Sequence, residues 1–331
     1  MAFVYFLQKV KNRIWRIIVE KFRNTFFYPC IYRSYWNSII NRKNFGEKSV
    51  NFYTAIPNVG AGIGHQMANW IAGYWYAKTF QLTFAHSSFP SPEWDSFLGL
   101  GENERRVNEL IKNGYKKVRL PLFDEFSKAE VELQKKIILS YANQSVVFFS
   151  EQDQGYADQF GVIDSLQEKF FNSPSRKMDQ LIFDSKFINI CIHIRRGDIL
   201  NGRENKDFLM RWQGNEYFLN VLRSIIAQIT SKKPIAIYLI SQGSTDDFVE
   251  FCQFPNLQFC SNLPAMNSFL HMVFADILIT SKSSFSYKPA LLNKGIKICP
   301  KDFWHGYPPT ADWLVADESG IIMGNLPKLN V

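Results

Sequence analysis

From residue 187 to residue 300, short apolar, β-rich runs alternate with stretches of helical composition. This alternation decides most of what the chain can become. Residues 187–194, 235–241, 257–260, 277–280 and 297–300 read as strands. Residues 215–229, 245–252, 265–275 and 285–293 read as the helices between them. Strands separated by helices cannot pair through tight hairpins. They need crossovers, which give a mostly parallel sheet covered by helices on both faces.

The first half repeats the theme. Residues 51–56 are strand-like and run into a glycine-rich turn, Pro57-Asn58-Val59-Gly60-Ala61-Gly62-Ile63-Gly64, then a helical stretch over 65–80. Strand, glycine loop and helix in that order open a nucleotide-fold unit. Residues 81–85, 117–120 and 146–149 read as further strands, with a helix near 125–140. The stretch 170–180 is polar and broken by Pro174, and marks a domain boundary. The expected class is α/β, with an N-terminal arm over 1–49, a first domain over 50–175 and a second over 176–331.

The chain carries a formal charge of +8, and that charge is unevenly placed. Residues 1–43 hold nine Lys/Arg and a single acid, Glu20, so this arm accounts for all of it. The remaining residues balance 29 basic against 29 acidic side chains. A nucleic-acid-binding body spreads basic charge over a face of the fold, so no nucleic-acid partner is expected. With 331 residues, 46% hydrophobic and 21% charged, the chain can bury a large core without disulfides. Its five cysteines, Cys30, Cys191, Cys252, Cys260 and Cys299, are odd in number and show no C-x-x-C spacing. Neither a disulfide framework nor a zinc site is indicated, and a reducing cytoplasm fits best.

Within the arm, Phe3, Phe6, Leu7, Val10, Ile14, Ile17 and Ile18 share one helical face, with Lys9, Arg13, Arg16 and Arg23 opposite. Two readings of this amphipathic helix stand: a surface helix packed on the body, or an interfacial helix on an anionic membrane. The N-terminus lacks the compact apolar core and cleavage site of a signal peptide.

Two segments carry the chemistry. The strand over 187–194 ends in His193-Ile194-Arg195-Arg196-Gly197-Asp198. Open α/β sheets bind ligands beyond the carboxyl ends of their strands, and guanidinium forks there suit a polyanion such as a diphosphate. A structural Arg–Asp network at a strand end is the alternative. The second segment, Ser281-Lys282-Ser283-Ser284-Phe285-Ser286, lies between a strand and a helix. Hydroxyls and free N–H groups at a helix N-terminus bind phosphate oxygens, although a plain serine cap explains it as well. The glycine loop has neither G-x-G-x-x-G spacing nor the P-loop lysine.

Taken together, the segments resemble inverting fucosyltransferases that use GDP-fucose. His193 to Asp198 matches that superfamily's H-x-R-R-x-D motif, and Ser283-Ser284-Phe285-Ser286 its late S-[ST]-F-S motif. Gly62-Ile63-Gly64-His65-Gln66-Met67 is similar to its early G-x-G-N-Q-M loop. The α-1,2 branch of bacterial surface-polysaccharide synthesis is the nearest likeness. Three positions depart from the pattern. His65 replaces a usual Asn, Ile240-Ser241-Gln242-Gly243 replaces a frequent acidic run, and Ser286-Tyr287-Lys288 replaces Ser-Trp-Trp.

The resemblance implies a GT-B architecture, two Rossmann-like domains facing a cleft, with acceptor on the N-terminal side and GDP-fucose on the C-terminal side. It implies donor contacts from His193, Arg195, Arg196, Asp198, Ser283, Ser284 and Phe285, with Gly62 and Gly64 approaching the sugar. Asp276 matches an acid that hydrogen-bonds guanine in relatives. Arg195 would be the essential diphosphate contact, and His65 or Glu204 the general base. No D-x-D occurs, so no metal or other cofactor is expected. The acceptor would be a glycan or lipid-linked oligosaccharide of O-antigen or capsule, reached by a peripheral enzyme at the inner face of the membrane. The alternatives are a GT-B transferase of another nucleotide sugar, and a non-catalytic membrane-associated scaffold for polysaccharide assembly.

Overall fold

The computed structural model describes residues 51–121, 123–141, 144–150, 159–197 and 210–328, with isolated positions between 10 and 31. Asp198, Glu204 and most of the arm lie outside the described residues. The chain forms two compact units, one of residues 1–51 with 123–146, the other of 52–122 with 147–331.

The larger unit is organised around two sheets. The C-terminal sheet contains β6 (Ile188–Ile194), β7 (Ile235–Ser241), β8 (Leu257–Phe259), β9 (Ile277–Ile279), β10 (Ile296–Pro300) and β11 (Trp313–Ala316). Their spatial order is β11-β10-β9-β6-β7-β8, and every pairing is parallel. This is the doubly wound order of a dinucleotide fold, and its direction reverses between β6 and β9. β6 is buried along its whole length. Its alternate residues serve opposite faces. Ile188, Ile190, Ile192 and Ile194 pack with Phe218, Val221, Leu222 and Ile225 on one side. Cys191 packs with Tyr238, Met272, Leu278 and Ala290 on the other. A strand covered on both faces reads as an unbroken apolar run, which is why this one stands out in the sequence.

The N-terminal sheet has β1 (Phe52–Tyr53), β2 (Thr83–His86), β3 (Arg105–Arg106), β4 (Lys116–Arg119) and β5 (Val146–Phe149), ordered β3-β2-β1-β5-β4. β1 pairs with β2 and β5 in parallel, and so does β2 with β3. The expected α/β class with two Rossmann-like sheets is therefore what the structure shows.

Among the described residues from 51 onward, the α-helices in chain order are α1 (Ile63–Thr79), α2 (Pro92–Leu98), α3 (Val107–Lys112), α4 (Lys128–Leu139), α5 (Ile163–Asn172), α6 (Asn215–Gln228), α7 (Ala265–Phe274) and α8 (Ser284–Leu292). Residues 245–252, expected as a short helix, form part of a 3₁₀ segment over Thr245–Gln253. The first strand is shorter than residues 51–56, covering Phe52–Tyr53, and Ala55 beyond it lies against Gly73, where a Cβ would stand 2.5 Å from that of Ala55. Besides the two-residue β3 and the 3₁₀ turns Gln159–Val162 and Pro174–Met178, four described elements escape the sequence reading: α2, α3, α5 and β11. α2 carried a signal, with Ser91 capping Trp94 N at 3.3 Å, Pro92 in the first turn and Gly99 at φ +63° closing the helix.

Two ties fix α8, which carries the serine motif. The Asn293 side-chain amide donates to Val273 O at 2.9 Å and Ala275 O at 2.8 Å, pinning the end of α8 to the end of α7. Gln167 of α5 donates to Leu291 O at 3.1 Å. In the smaller unit the Asn51 side chain donates to Tyr141 O at 2.9 Å and accepts from Val146 N at 3.1 Å. Ser127 caps α4 there, and Val10, Ile14, Ile17 and Phe22 of the arm are exposed. Among the described residues no helix is long and apolar enough to cross a membrane.

Candidate anion-binding site at the switch point

A cavity of about 680 Å³ opens beyond the carboxyl ends of β6, β7 and β8 and at the start of α8. Its opposite wall is the glycine loop, from Asn58 and residues 61–65. It thus stands where the strand order reverses, and its size is that of a small-molecule site. Among the described residues that line it are three arginines, Arg195, Arg196 and Arg211, and no carboxylate.

The three polar groups at the end of β6 do different things. His193 is buried, and its Nδ1 lies 2.8 Å from Ser281 Oγ. Burial, with the nearby Arg195 charge adding to it, pushes its pKa down to about 3, so the ring is neutral and the cavity's positive charge comes from guanidiniums. Arg195 is half-buried and places Nη1 3.5 Å from Ser283 Oγ. Arg196 is almost fully buried and turned into the wall. Its Nη1 donates to Arg195 O and Gln213 O, both at 3.0 Å, and its Nη2 to Asn215 Oδ1 at 2.6 Å. Trp212 covers its guanidinium at 4.2 Å. Three of its five donors are spent in this way, and burial lowers its pKa to about 10 against the opposing effect of Asp247. Arg196 lines the cavity but is chiefly a wall residue, unlike the donor contact expected of it. Gly197 follows at φ +63°, with no room for a Cβ beside Gln242 Oε1.

The serine segment is preassembled. Ser283 caps α8, accepting from Phe285 N at 3.2 Å. Ser286 Oγ donates back to Ser281 O and Ser283 O at 3.3 and 3.2 Å. Lys282 N donates to Gln213 Oε1 at 2.9 Å. The helix end therefore points its dipole and remaining N–H groups toward the cavity. Phe285 lies 5.5 Å from the His193 ring. Across from it, Gly64 touches Ser284: a Cβ there would stand 2.7 Å from the Ser284 carbonyl carbon and oxygen. Gly60 has φ +86°, which only the glycine turn accommodates easily. Gly62 and His65 also line the cavity.

Asp276 is elsewhere. Its Oδ2 accepts from Asn189 N at 2.8 Å and Asn189 Nδ2 at 3.3 Å, at the starts of β9 and β6. That is the amino edge of the sheet, the length of a strand away from the cavity. The guanine contact that the resemblance implies for Asp276 is corrected to a structural tie between two strand starts. His86 bonds Asp95 and Trp70, and His271 bonds Asn267 O and Ile182 N. His305 stacks on Tyr287 at 4.8 Å, and burial drives its pKa to about 2. Among the described residues no three His, Cys, Asp or Glu side chains gather to hold a metal ion.

The sequence reading missed Arg211 and the lining from Cys260, Ser261, Leu263, Ala265 and Ser268, and named Gln242 only as a departure from an acidic run. Gln242 and Ser261 carried a usable signal, each standing just past a strand in a sheet whose carboxyl edge binds ligands. Residues 211–213 carried none, being loop before a helix.

Comparison with solved structures returns distant likenesses. POFUT1 in its apo form is matched at 12% identity and a TM-score of 0.48, over 75% of this chain and 96% of that one. POFUT1 in complex with GDP-fucose is matched at 11% and 0.48, over 76% and 97%. Fucosyltransferase NodZ from Bradyrhizobium is matched at 12% and 0.40, over 74% and 93%. No protein-family model and no curated protein matches the sequence. Likenesses this distant leave the activity to be argued from the residues of the cavity.

Proposed function

We propose that this protein is a glycosyltransferase that moves L-fucose from GDP-β-L-fucose to a glycan hydroxyl, with inversion at the anomeric carbon. The observation that carries the reading is the lining of the cavity: three arginines and a serine-capped helix end, with no carboxylate among its described residues. Such a wall suits a polyanion, and a diphosphate is the polyanion that α/β folds hold at this edge. The two motifs that resemble GDP-fucose enzymes narrow the diphosphate to GDP-fucose.

The reaction is a single displacement. Negative charge grows on the departing diphosphate, where Arg195 and the α8 N-terminus are already aimed. Preorganised donors stabilise that charge more in the transition state than in the ground state. His65, on the glycine-loop wall, or Glu204 takes the acceptor proton. The proposal includes no metal, because guanidiniums perform the charge neutralisation. The finer reading is an α-1,2 linkage on a lipid-linked oligosaccharide of a bacterial surface polysaccharide, with the arm holding the enzyme to the inner membrane face.

Incubation with GDP-fucose and a panel of acceptors, followed by linkage analysis, tests this. Fucosyl transfer supports the proposal. Release of nucleoside diphosphate from a different sugar nucleotide alone replaces the donor. Failure to bind any nucleotide overturns the reading and favours a non-catalytic scaffold.

A further inference from the structure

We propose that Arg211 is the second working guanidinium of the cavity and holds the terminal phosphate of a nucleoside diphosphate, a role resting on the nucleotide reading above. The sequence offers Arg195 and Arg196 as a pair. The structure divides that pair, because Arg196 spends three donors on Arg195 O, Gln213 O and Asn215 Oδ1 beneath the Trp212 ring. A diphosphate carries more charge than one fork neutralises, and Arg211 is the remaining arginine among the described lining residues.

Its position is built. The segment that bears it is tied to both anion-facing segments at once. Gln213 accepts from Arg196 through its main-chain oxygen and from Lys282 N through its side chain. Asn215 then anchors the strap through Asp247 O at 2.7 Å. This fixes the Arg211 backbone relative to both Arg195 and Ser283. The Arg211 guanidinium lies 5.4 Å from the Trp304 ring. An indole face steadies a cation while leaving its N–H edge available to an anion. Arg211 is only partly buried and Trp304 is 38% exposed, so the pair is accessible from solvent. Leu263, Ala265 and Phe285 add apolar lining suited to a flat base, and the proposal assigns the charged end of the nucleotide, its terminal phosphate, to Arg211.

The test is calorimetric titration of the full-length protein with GDP and with GMP, in the wild type, Arg211→Gln and Arg211→Lys. A charge-assisted fork is lost in the first variant, so GDP binding should weaken about tenfold or more while GMP binding changes less than about threefold. Arg211→Lys restores the charge without the fork and should recover part of the loss. Unchanged GDP affinity in Arg211→Gln overturns the assignment. So does an equal loss for both nucleotides, the signature of a distorted wall. If Arg211→Gln does not fold, Arg211→Lys decides alone: selective weakening of GDP supports the role, and unchanged or equally weakened binding overturns it. A wild type that binds neither nucleotide brings down the nucleotide reading itself, and this role with it, which separates the two failures.

Discussion

Replacing Gly64 by alanine perturbs the cavity at its tightest seam. The added Cβ would stand 2.7 Å from the Ser284 carbonyl carbon and oxygen and 2.9 Å from Ser284 Oγ. Non-bonded carbons prefer about 3.5–4.0 Å, so the two backbones must part by nearly an ångström. The two nearest opposing atoms are main chain, which no rotamer change removes. Overpacking of this kind costs about 1–3 kcal/mol. At roughly 2–4 °C per kcal/mol for a chain of this order, the melting temperature should fall by about 2–12 °C. The functional loss should be larger than the stability loss implies. Ser284 opens α8, and misplacing a binding group by about 1 Å can cost 10²-fold in rate. Gly62→Ala is the control: nothing lies within 4 Å of a Cβ there and the backbone is extended at φ −63°, so its melting temperature should stay level or rise slightly. Calorimetric melts and GDP titration of both variants decide the matter. If Gly64→Ala melts and binds GDP like Gly62→Ala, the seam is not where the reasoning puts it.

Arg195→Lys should keep the circular dichroism spectrum of the wild type while lowering transfer by about 10²–10³-fold, because the charge stays and the fork is lost. Asp276→Ala should lower stability by about 1–3 kcal/mol, since Asn189 N loses its acceptor while Asn189 Nδ2 keeps Asp184 O and Phe187 O, and should leave GDP affinity as it was; a selective loss of GDP binding would restore Asp276 to the site. His193 and His305 are held neutral by burial, with pKa values of about 3 and 2. Unfolded histidine binds a proton near pH 6.5 and these native ones do not, so stability should fall as pH drops below about 6.5, by about 1.4 kcal/mol per pH unit for each. His193→Asn should flatten that dependence, as read from denaturant melts between pH 4 and 7 on the order of one unit apart.

What the sequence disclosed follows from how each element is buried. β6 and β7 were legible because strands covered on both faces are apolar without interruption. The helix α6 was legible because Phe218, Val221, Leu222 and Ile225 recur at the helical spacing. α5 went unread because only Leu166 and Phe170 of it are deeply buried, too few to mark a helical stripe, and its last residues run into the polar stretch 170–180. At the site, Arg195 and Arg196 looked equivalent as letters, but the structure turns one to the cavity and the other into the wall. Asp276 was assigned by a matched letter just before a strand, although ligands gather just after strands. Arg211 was illegible, because what positions it is a side-chain bridge from Gln213 to Lys282, distant in the chain.

The unopposed positive lining of the cavity bears on turnover as well as on chemistry. With three arginines and no carboxylate among its described residues, the described wall goes on attracting an anion once the sugar has left it. In a transferase of the kind proposed, the spent nucleoside diphosphate would keep the contacts that eased its departure. Product release would then govern the cycle, and accumulated diphosphate would compete with fresh donor. Such an enzyme would depend on a hydrolase that removes the terminal phosphate, converting a retained product into one that the cavity lets go.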